Sequence, residues 1–196
     1  AAEIGELGDN VRHLRNLIAQ DKILFDSVAS NEKCHEMVLA HTRWASMGVI
    51  SENNTHPLDS TEMGSSSSSF ALGVLNGDID NHVALRSECA IESSITTDAK
   101  LIPVLLVHEL SNNPSHDVLD SFRSVVSRFE GSTAIGAMVS DDTSKLLLAL
   151  RGGGQGLFIG LGHDEFMVAS EPYGVIEITD RYIRVDGETP YDDNPD

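Results

Sequence analysis

From Gly131 onward the chain consists of short apolar runs separated by turn residues, and this pattern limits the fold more than any other feature. Short runs of this kind predict strands. The predicted strands cover residues 133–139, 145–150, 157–161, 166–169, 175–178 and 182–185. Upstream, apolar residues recur with helical spacing over residues 4–18, 99–110 and 115–129. Such a mixture predicts an α+β fold with sheets packed face to face and helices outside.

The totals exclude several functional classes. The 196 residues carry a net charge of -18, which argues against nucleic acid and against anionic membranes, because both need clustered Lys and Arg. The two cysteines, Cys34 and Cys89, are too few for a disulfide framework, so we expect a cytoplasmic protein. No stretch is long and apolar enough to predict a membrane span. Cys34, His35 and His41 match no zinc-binding spacing, so no metal is expected.

A polar motif follows the apolar run at residues 37–40, which predicts a further strand. His41-Thr42-Arg43-Trp44 comes next, then Ser46 and Gly48, and His56-Pro57 a few residues on. An Arg beside a Trp suits a pocket for a carboxylate, because a guanidinium binds a carboxylate in a bidentate way. A strand with a surface Arg43 and a core Trp44 is an equally good interpretation of these residues alone.

Two further motifs contain groups that could act on a substrate. Asn76-Gly77 lies between an apolar run at residues 70–75 and a predicted helix that contains Ile79, Val83 and Arg86. An amide side chain and a backbone N–H at such a junction can form an oxyanion hole, although Asn-Gly is also a common hairpin turn. Asp98 precedes the helix predicted at 99–110, where it or Thr97 is expected to cap the helix.

Taken in order, His-Thr-Arg-Trp-Ala, His-Pro, Asn-Gly-x-Ile-x-Asn-His and Thr-Asp resemble the class II glutamine amidotransferases, and within them the glucosamine-6-phosphate synthase branch. The resemblance implies the four-layer αββα sandwich of N-terminal-nucleophile hydrolases. It implies a glutaminase that supplies ammonia to a sugar phosphate, fructose 6-phosphate in this branch, without a cofactor. L-Glutamine would be the small-molecule partner, and a homodimer is a further expectation.

The resemblance also assigns roles to particular residues. Arg43 would bind the α-carboxylate of glutamine and Asp98 its α-amino group. Trp44 would close over the site, and Ser46 would add a hydrogen bond. Asn76 and Gly77 would stabilise the oxyanion.

The chain departs from the family pattern at its start. The family's nucleophile is a cysteine at position 1, whereas residue 1 here is Ala1. The sequence therefore predicts an incomplete glutaminase domain over residues 1–188, with the nucleophile-bearing strand upstream. Residues 189–196 would begin a linker to a sugar-phosphate isomerase domain. A catalytically inactive, glutamine-sensing domain of the same fold is the alternative.

Two further positions differ from the family. Ser46-Met47 stands where the family has Thr-His, and Ala99-Lys100 stands where it has Thr-Glu.

Overall fold

A computed structural model of the chain describes residues 8–29, 36–42, 48–61, 68–91 and 94–186. Ala1 and the linker predicted at 189–196 lie outside these ranges. Within the described ranges no helix is long and apolar enough to cross a membrane.

The described residues form five helices, seven strands and short 3-10 turns. The helices are α1 (Asp9–Gln20), α2 (Lys22–Ala29), α3 (His82–Glu88), α4 (Leu101–Asn112) and α5 (Val118–Ser127). The strands are β1 (Leu58–Asp59), β2 (Ala71–Gly77), β3 (Thr133–Val139), β4 (Asp142–Arg151), β5 (Phe158–Leu161), β6 (Phe166–Ala169) and β7 (Tyr182–Arg184). Short 3-10 turns occupy Glu52–Asn54, Asp98–Lys100 and Pro172–Gly174.

The strands make two antiparallel sheets. One has four strands in the order β1-β2-β3-β4, and the other has three in the order β6-β5-β7. In the larger sheet β2 pairs with β3 over its whole length, with Asn76 opposite Ala134 and Gly77 opposite Thr133. This register places the Asn76-Gly77 end of β2 beside the start of β3.

Helices α4 and α5 cover one face of the larger sheet. On β2 the residues Ala71 and Leu75 face them and are buried in the core. Helix α4 is buried on every side over residues 101–107, which agrees with its apolar sequence around the whole helix. Because successive strand residues point to opposite faces, Asn76 lies on the face away from these helices.

Two predicted strands are wrong. Residues 36–42 include the strand predicted at 37–40, but they lie in no strand, and the Val38 side chain is 81% exposed. Leu39 packs over Gly136 of β3 by its side chain alone. The strand predicted at 175–178 is a turn, in which the N–H groups of Ile178 and Thr179 both donate to the Val175 carbonyl.

The same physical cause explains both corrections. In each run an apolar side chain packs against a glycine of a strand, while the backbone of the run pairs with no strand. Val175 is fully buried and lies against Gly160 of β5, directly after the 3-10 turn Pro172–Gly174. Apolar content therefore indicated side-chain packing against a sheet in both places, but it did not predict whether the backbone pairs with a strand.

The predicted helices are present with shifted ends. Asp9 is the first residue of α1 and binds Arg12, whereas Gly8 occupies the cap position. Four apolar side chains of α1 are each about half exposed: Val11, Leu14, Leu17 and Ile18. At the start of α5 Asp117 does cap the helix, since its carboxylate accepts the Asp120 N–H at 2.8 Å.

A fully buried lysine joins the start of α4 to β1. The Lys100 side chain has no exposed surface, and its Nζ donates to the Asp59 carbonyl at 2.6 Å and lies 3.4 Å from Asp59 Oδ1. Partial burial acts to raise the pKa of the Asp59 carboxyl. Hydrogen bonds from Thr61 and the Lys100 charge together outweigh that effect, so the net pKa lies below its ordinary value.

Lys100→Ala should lower the free energy of unfolding by about 2–4 kcal/mol, because it leaves a cavity and removes the partner of the Asp59 carbonyl. Asp59→Asn should lower the free energy of unfolding by about 1 kcal/mol or less, because its carboxylate is partly exposed and screened.

Since the pKa of Asp59 is lowered in the fold, its contribution to the free energy of unfolding is present near neutral pH and is lost as the pH falls through that pKa. Urea unfolding at pH 7 and pH 3 measures both effects.

Lys145→Ala is the matched control, because Lys145 also pairs with an aspartate, Asp142, but on the surface. Its unfolding midpoint should match that of the wild type. Equal, small effects of Lys100→Ala and Lys145→Ala would contradict the role given to Lys100.

Candidate functional site

The Asn76-Gly77 motif lies at the end of β2, between a strand and a helix as the sequence predicts. Gly77 has φ +106°, a left-handed conformation that other residues rarely adopt. A Cβ at this position would overlap the carbonyl oxygen of Ser132. The backbone at Gly77 can therefore turn here only because the residue has no side chain.

The chain beyond Gly77 is bound closely to its surroundings. The Asp78 N–H donates to the Ser132 carbonyl at 3.2 Å, and the Asp80 N–H donates to the Glu130 carbonyl at 2.9 Å. Between them the Ile79 N–H donates to Oδ2 of Asp98 at 2.7 Å. The carboxylate of Asp98 is thus held two residues from Gly77.

Asp98 does not act as the helix cap that the sequence suggests. Thr97 occupies the cap position of the turn Asp98–Lys100, but no side chain makes a capping hydrogen bond there. Instead, the buried Asp98 carboxylate accepts the Ile79 N–H and, at 3.2 Å, the Thr97 hydroxyl. A buried carboxylate is costly without partners, so these donors account for its place beside β2.

Two side chains bind the backbone just before Asp98. Asn54 Oδ1 accepts the N–H groups of Thr96 and Thr97 at 3.0 and 3.4 Å. From α3, the Arg86 guanidinium donates to the carbonyls of Ile95 and Thr97 at 2.8 and 2.9 Å. Residues 95–97 lie in no strand or helix, so these side chains supply hydrogen bonds that secondary structure would otherwise provide.

His41 and Gly48 flank the predicted glutamine-binding loop, and they approach His56 and Thr96, respectively. The ring of His41 lies 4.5 Å from the ring of His56, whose Nδ1 accepts the Leu75 N–H at 3.4 Å. On the other side Gly48, with φ +80°, leaves no room for a Cβ beside Thr96. Three predicted site residues, Arg43, Trp44 and Ser46, lie outside the described ranges together with Met47, so their roles stay predictions.

A shallow cleft of about 210 Å³ opens beside this region, lined by His82, Val83, Arg86 and Thr96. The Arg86 guanidinium at its wall already binds the Ile95 and Thr97 carbonyls. Among the described residues no three His, Cys, Asp or Glu side chains cluster closely enough to hold a metal ion. Cys89 lies at the end of α3, where the Arg128 guanidinium contacts its sulfur at 3.5 Å and binds Glu88.

The sequence interpretation missed Asn54, Arg86 and Lys100. All three are polar residues that bind backbone groups outside their own helix or turn, and a linear pattern carries no signal for such contacts. Asn54 stands two residues before His56-Pro57, and only this proximity to a motif could have drawn attention to it.

No family model matches the chain. It is 32% identical over 180 residues to glutamine--fructose-6-phosphate aminotransferase [isomerizing] of Idiomarina loihiensis, which covers 89% of this chain and 28% of the relative. The protein of the same name from Pseudomonas putida is 32% identical over 160 residues, covering 80% of this chain and 24% of the relative. The chain therefore spans about a quarter of the length of the curated relatives it matches.

Solved structures agree on the fold. Glutamine phosphoribosylpyrophosphate amidotransferase from B. subtilis, complexed with ADP and GMP, aligns with a TM-score of 0.58 and 23% identity, over 75% of this chain and 30% of that one. A second structure, an allosteric regulatory enzyme of purine biosynthesis, aligns with a TM-score of 0.55 and 22% identity, over 69% and 28%. The expected fold class is confirmed, while the absence of a first, nucleophile-bearing strand stays a prediction.

The two solved structures show that the chain shares the fold of these amidotransferase structures. In sequence, the chain is similar over most of its own length to the glutamine--fructose-6-phosphate aminotransferases.

Gly77→Ala should lower the free energy of unfolding by about 2–4 kcal/mol for two reasons. Residue 77 has a left-handed backbone conformation, and a Cβ there would overlap the Ser132 carbonyl oxygen. Gly153→Ala is the control, since nothing lies within 4 Å of a Cβ built there. Thermal unfolding compares the two variants. A melting temperature of Gly77→Ala equal to that of Gly153→Ala would show that the turn at Gly77 tolerates a side chain.

Proposed function

We propose that the chain is the glutaminase domain of a glutamine-dependent aminotransferase that hydrolyses L-glutamine and supplies ammonia to a sugar phosphate. The observation that supports it most is the hydrogen bond that holds the buried Asp98 carboxylate two residues from Gly77. The names of the relatives indicate fructose 6-phosphate as the acceptor. Because the chain covers about a quarter of those relatives, a sugar-phosphate isomerase domain elsewhere in the protein is part of the proposal.

In this proposal the two ends of glutamine are recognised by opposite charges. Asp98 pairs with the α-ammonium group, and Arg43 binds the α-carboxylate with two parallel hydrogen bonds. Trp44 closes over the aliphatic part of the substrate, and Ser46 adds a hydrogen bond. Two opposite charges at a fixed separation select an amino acid over a simple amide.

The chemistry is nucleophilic catalysis at the side-chain carboxamide. A cysteine thiolate attacks the carboxamide carbon, and the carbonyl oxygen becomes an oxyanion that accepts hydrogen bonds from Asn76 Nδ2 and the Gly77 N–H. The intermediate collapses with protonation and loss of ammonia, which leaves a thioester. Water then hydrolyses the thioester to glutamate and returns the thiol.

A second candidate is a domain that binds glutamine without cleaving it. It is favoured by the surroundings of Cys89, the one cysteine among the described residues, because its sulfur contacts Arg128 at the end of α3. The two candidates share the binding residues and differ only in the presence of the thiol.

Glutaminase assays of residues 1–196 and of the full-length gene product, run side by side, distinguish these candidates. We expect ammonia from the full-length protein alone. Ammonia from both would refute the upstream placement of the nucleophile. Glutamine binding to the full-length protein without ammonia release would instead support the sensing domain.

Variants of the full-length protein test the separate roles. Arg43→Ala should raise KM for glutamine by about 10- to 100-fold, because a charged hydrogen-bonded pair contributes roughly 1.5–3 kcal/mol. Asn76→Ala should instead lower kcat by about 100-fold, since its amide acts on the oxyanion. Arg12→Ala, a surface arginine paired with Asp9, is the control and should leave both constants unchanged. Equal, mild effects of the first two variants would contradict their roles.

A further inference from the structure

Asn54 is a buried amide whose hydrogen bonds all go to two segments next to the proposed site. Its Nδ2 donates to the Val49 carbonyl at 2.8 Å and to the Thr96 hydroxyl at 3.2 Å. Its Oδ1 accepts the Thr96 and Thr97 N–H groups. With the side chain 3% exposed, these contacts are made away from bulk water, where such bonds are stronger.

The two segments bound by Asn54 are those that the proposed function uses. Thr96 and Thr97 directly precede Asp98, and Val49 follows Gly48 at the end of the predicted glutamine-binding motif. Gly48 itself lies so close to Thr96 that a Cβ would be 2.9 Å from the threonine hydroxyl oxygen. Asn54 therefore determines how the end of that motif lies against the Asp98 turn.

We propose that Asn54 is a positioning residue that holds the Asp98 carboxylate where it receives the α-ammonium group of glutamine. The inference rests on the proposed function and extends it to specificity. Asn54 touches no reacting atom and acts through Thr96 and Thr97. Arg86 binds the carbonyls of Ile95 and Thr97, so losing Asn54 releases only the N–H groups of this segment.

The mechanism predicts a dependence on the substrate that a general loss of stability does not. If Asn54 acts through Asp98, its loss weakens recognition of the α-amino group and leaves recognition of the amide unchanged. The probe is 4-carbamoylbutanoate, which is glutamine without its α-amino group. The preference of the enzyme for glutamine over this analogue, as a ratio of kcat/KM values, then reports the state of the Asp98 contact.

The experiment measures that ratio in the full-length gene product. Asn54→Ala should lower the preference about tenfold, chiefly by raising KM for glutamine, since small misplacements of a binding group weaken orientation strongly. Asn53→Ala, an exposed asparagine in the same turn, should leave the ratio unchanged. Thr96→Val keeps the side-chain shape and removes one bond to Asn54, so it should lower the preference about two- to threefold.

The inference would be overturned if Asn54→Ala had the wild-type ratio of kcat/KM for glutamine to kcat/KM for the analogue. Equal losses of activity toward both amides would give this result. If Asn54→Ala fails to fold, Thr96→Val decides, and an unchanged ratio in that variant refutes the role. A wild-type protein that releases no ammonia would refute the proposed function instead. Calorimetric binding of glutamine and the analogue to the same variants would then still decide the role of Asn54.

Discussion

The hydrogen bond from the Ile79 N–H to the Asp98 carboxylate joins the two halves of the candidate site. One half is the end of β2, where Asn76 and Gly77 lie on a strand paired along its whole length with β3. The other is the turn that begins α4. Helix α4 is buried on every side over residues 101–107, so the turn that leads into it is attached to a rigid element. Binding groups carried by rigid elements keep their geometry better than groups on loops.

Buried polar groups give the site its shape. Asp98, Asn54 and Lys100 are each almost fully buried, and each makes hydrogen bonds to backbone atoms of other segments. Polar groups buried in this way are costly unless all their bonds are made, so they favour one arrangement of the chain over alternatives. The same bonds that hold the fold therefore place the carboxylate on which the proposed recognition of glutamine depends.

The smaller sheet shows which structural features an apolar pattern predicts and which it does not. Strands β5, β6 and β7 were predicted within one residue at each end, because turn residues separate them in the sequence. The run at 175–178 has the same apolar character and became a turn, with Val175 buried against Gly160. Apolar spacing predicts which side chains are buried, but a strand also needs a free neighbouring edge for its N–H and C=O groups.

By itself the sequence determined the α+β class, most helices and most strands, because side-chain periodicity is a local property that predicts buried and exposed faces. It also determined the order of the motifs, including Asn76-Gly77 at the junction of a strand and a helix. Only the tertiary structure decided that Asp98 binds Ile79 instead of capping its helix, and that Asn54 and Arg86 hold residues 95–97. These contacts join separate segments of the chain, and their energies depend on burial that exists only once the core has formed.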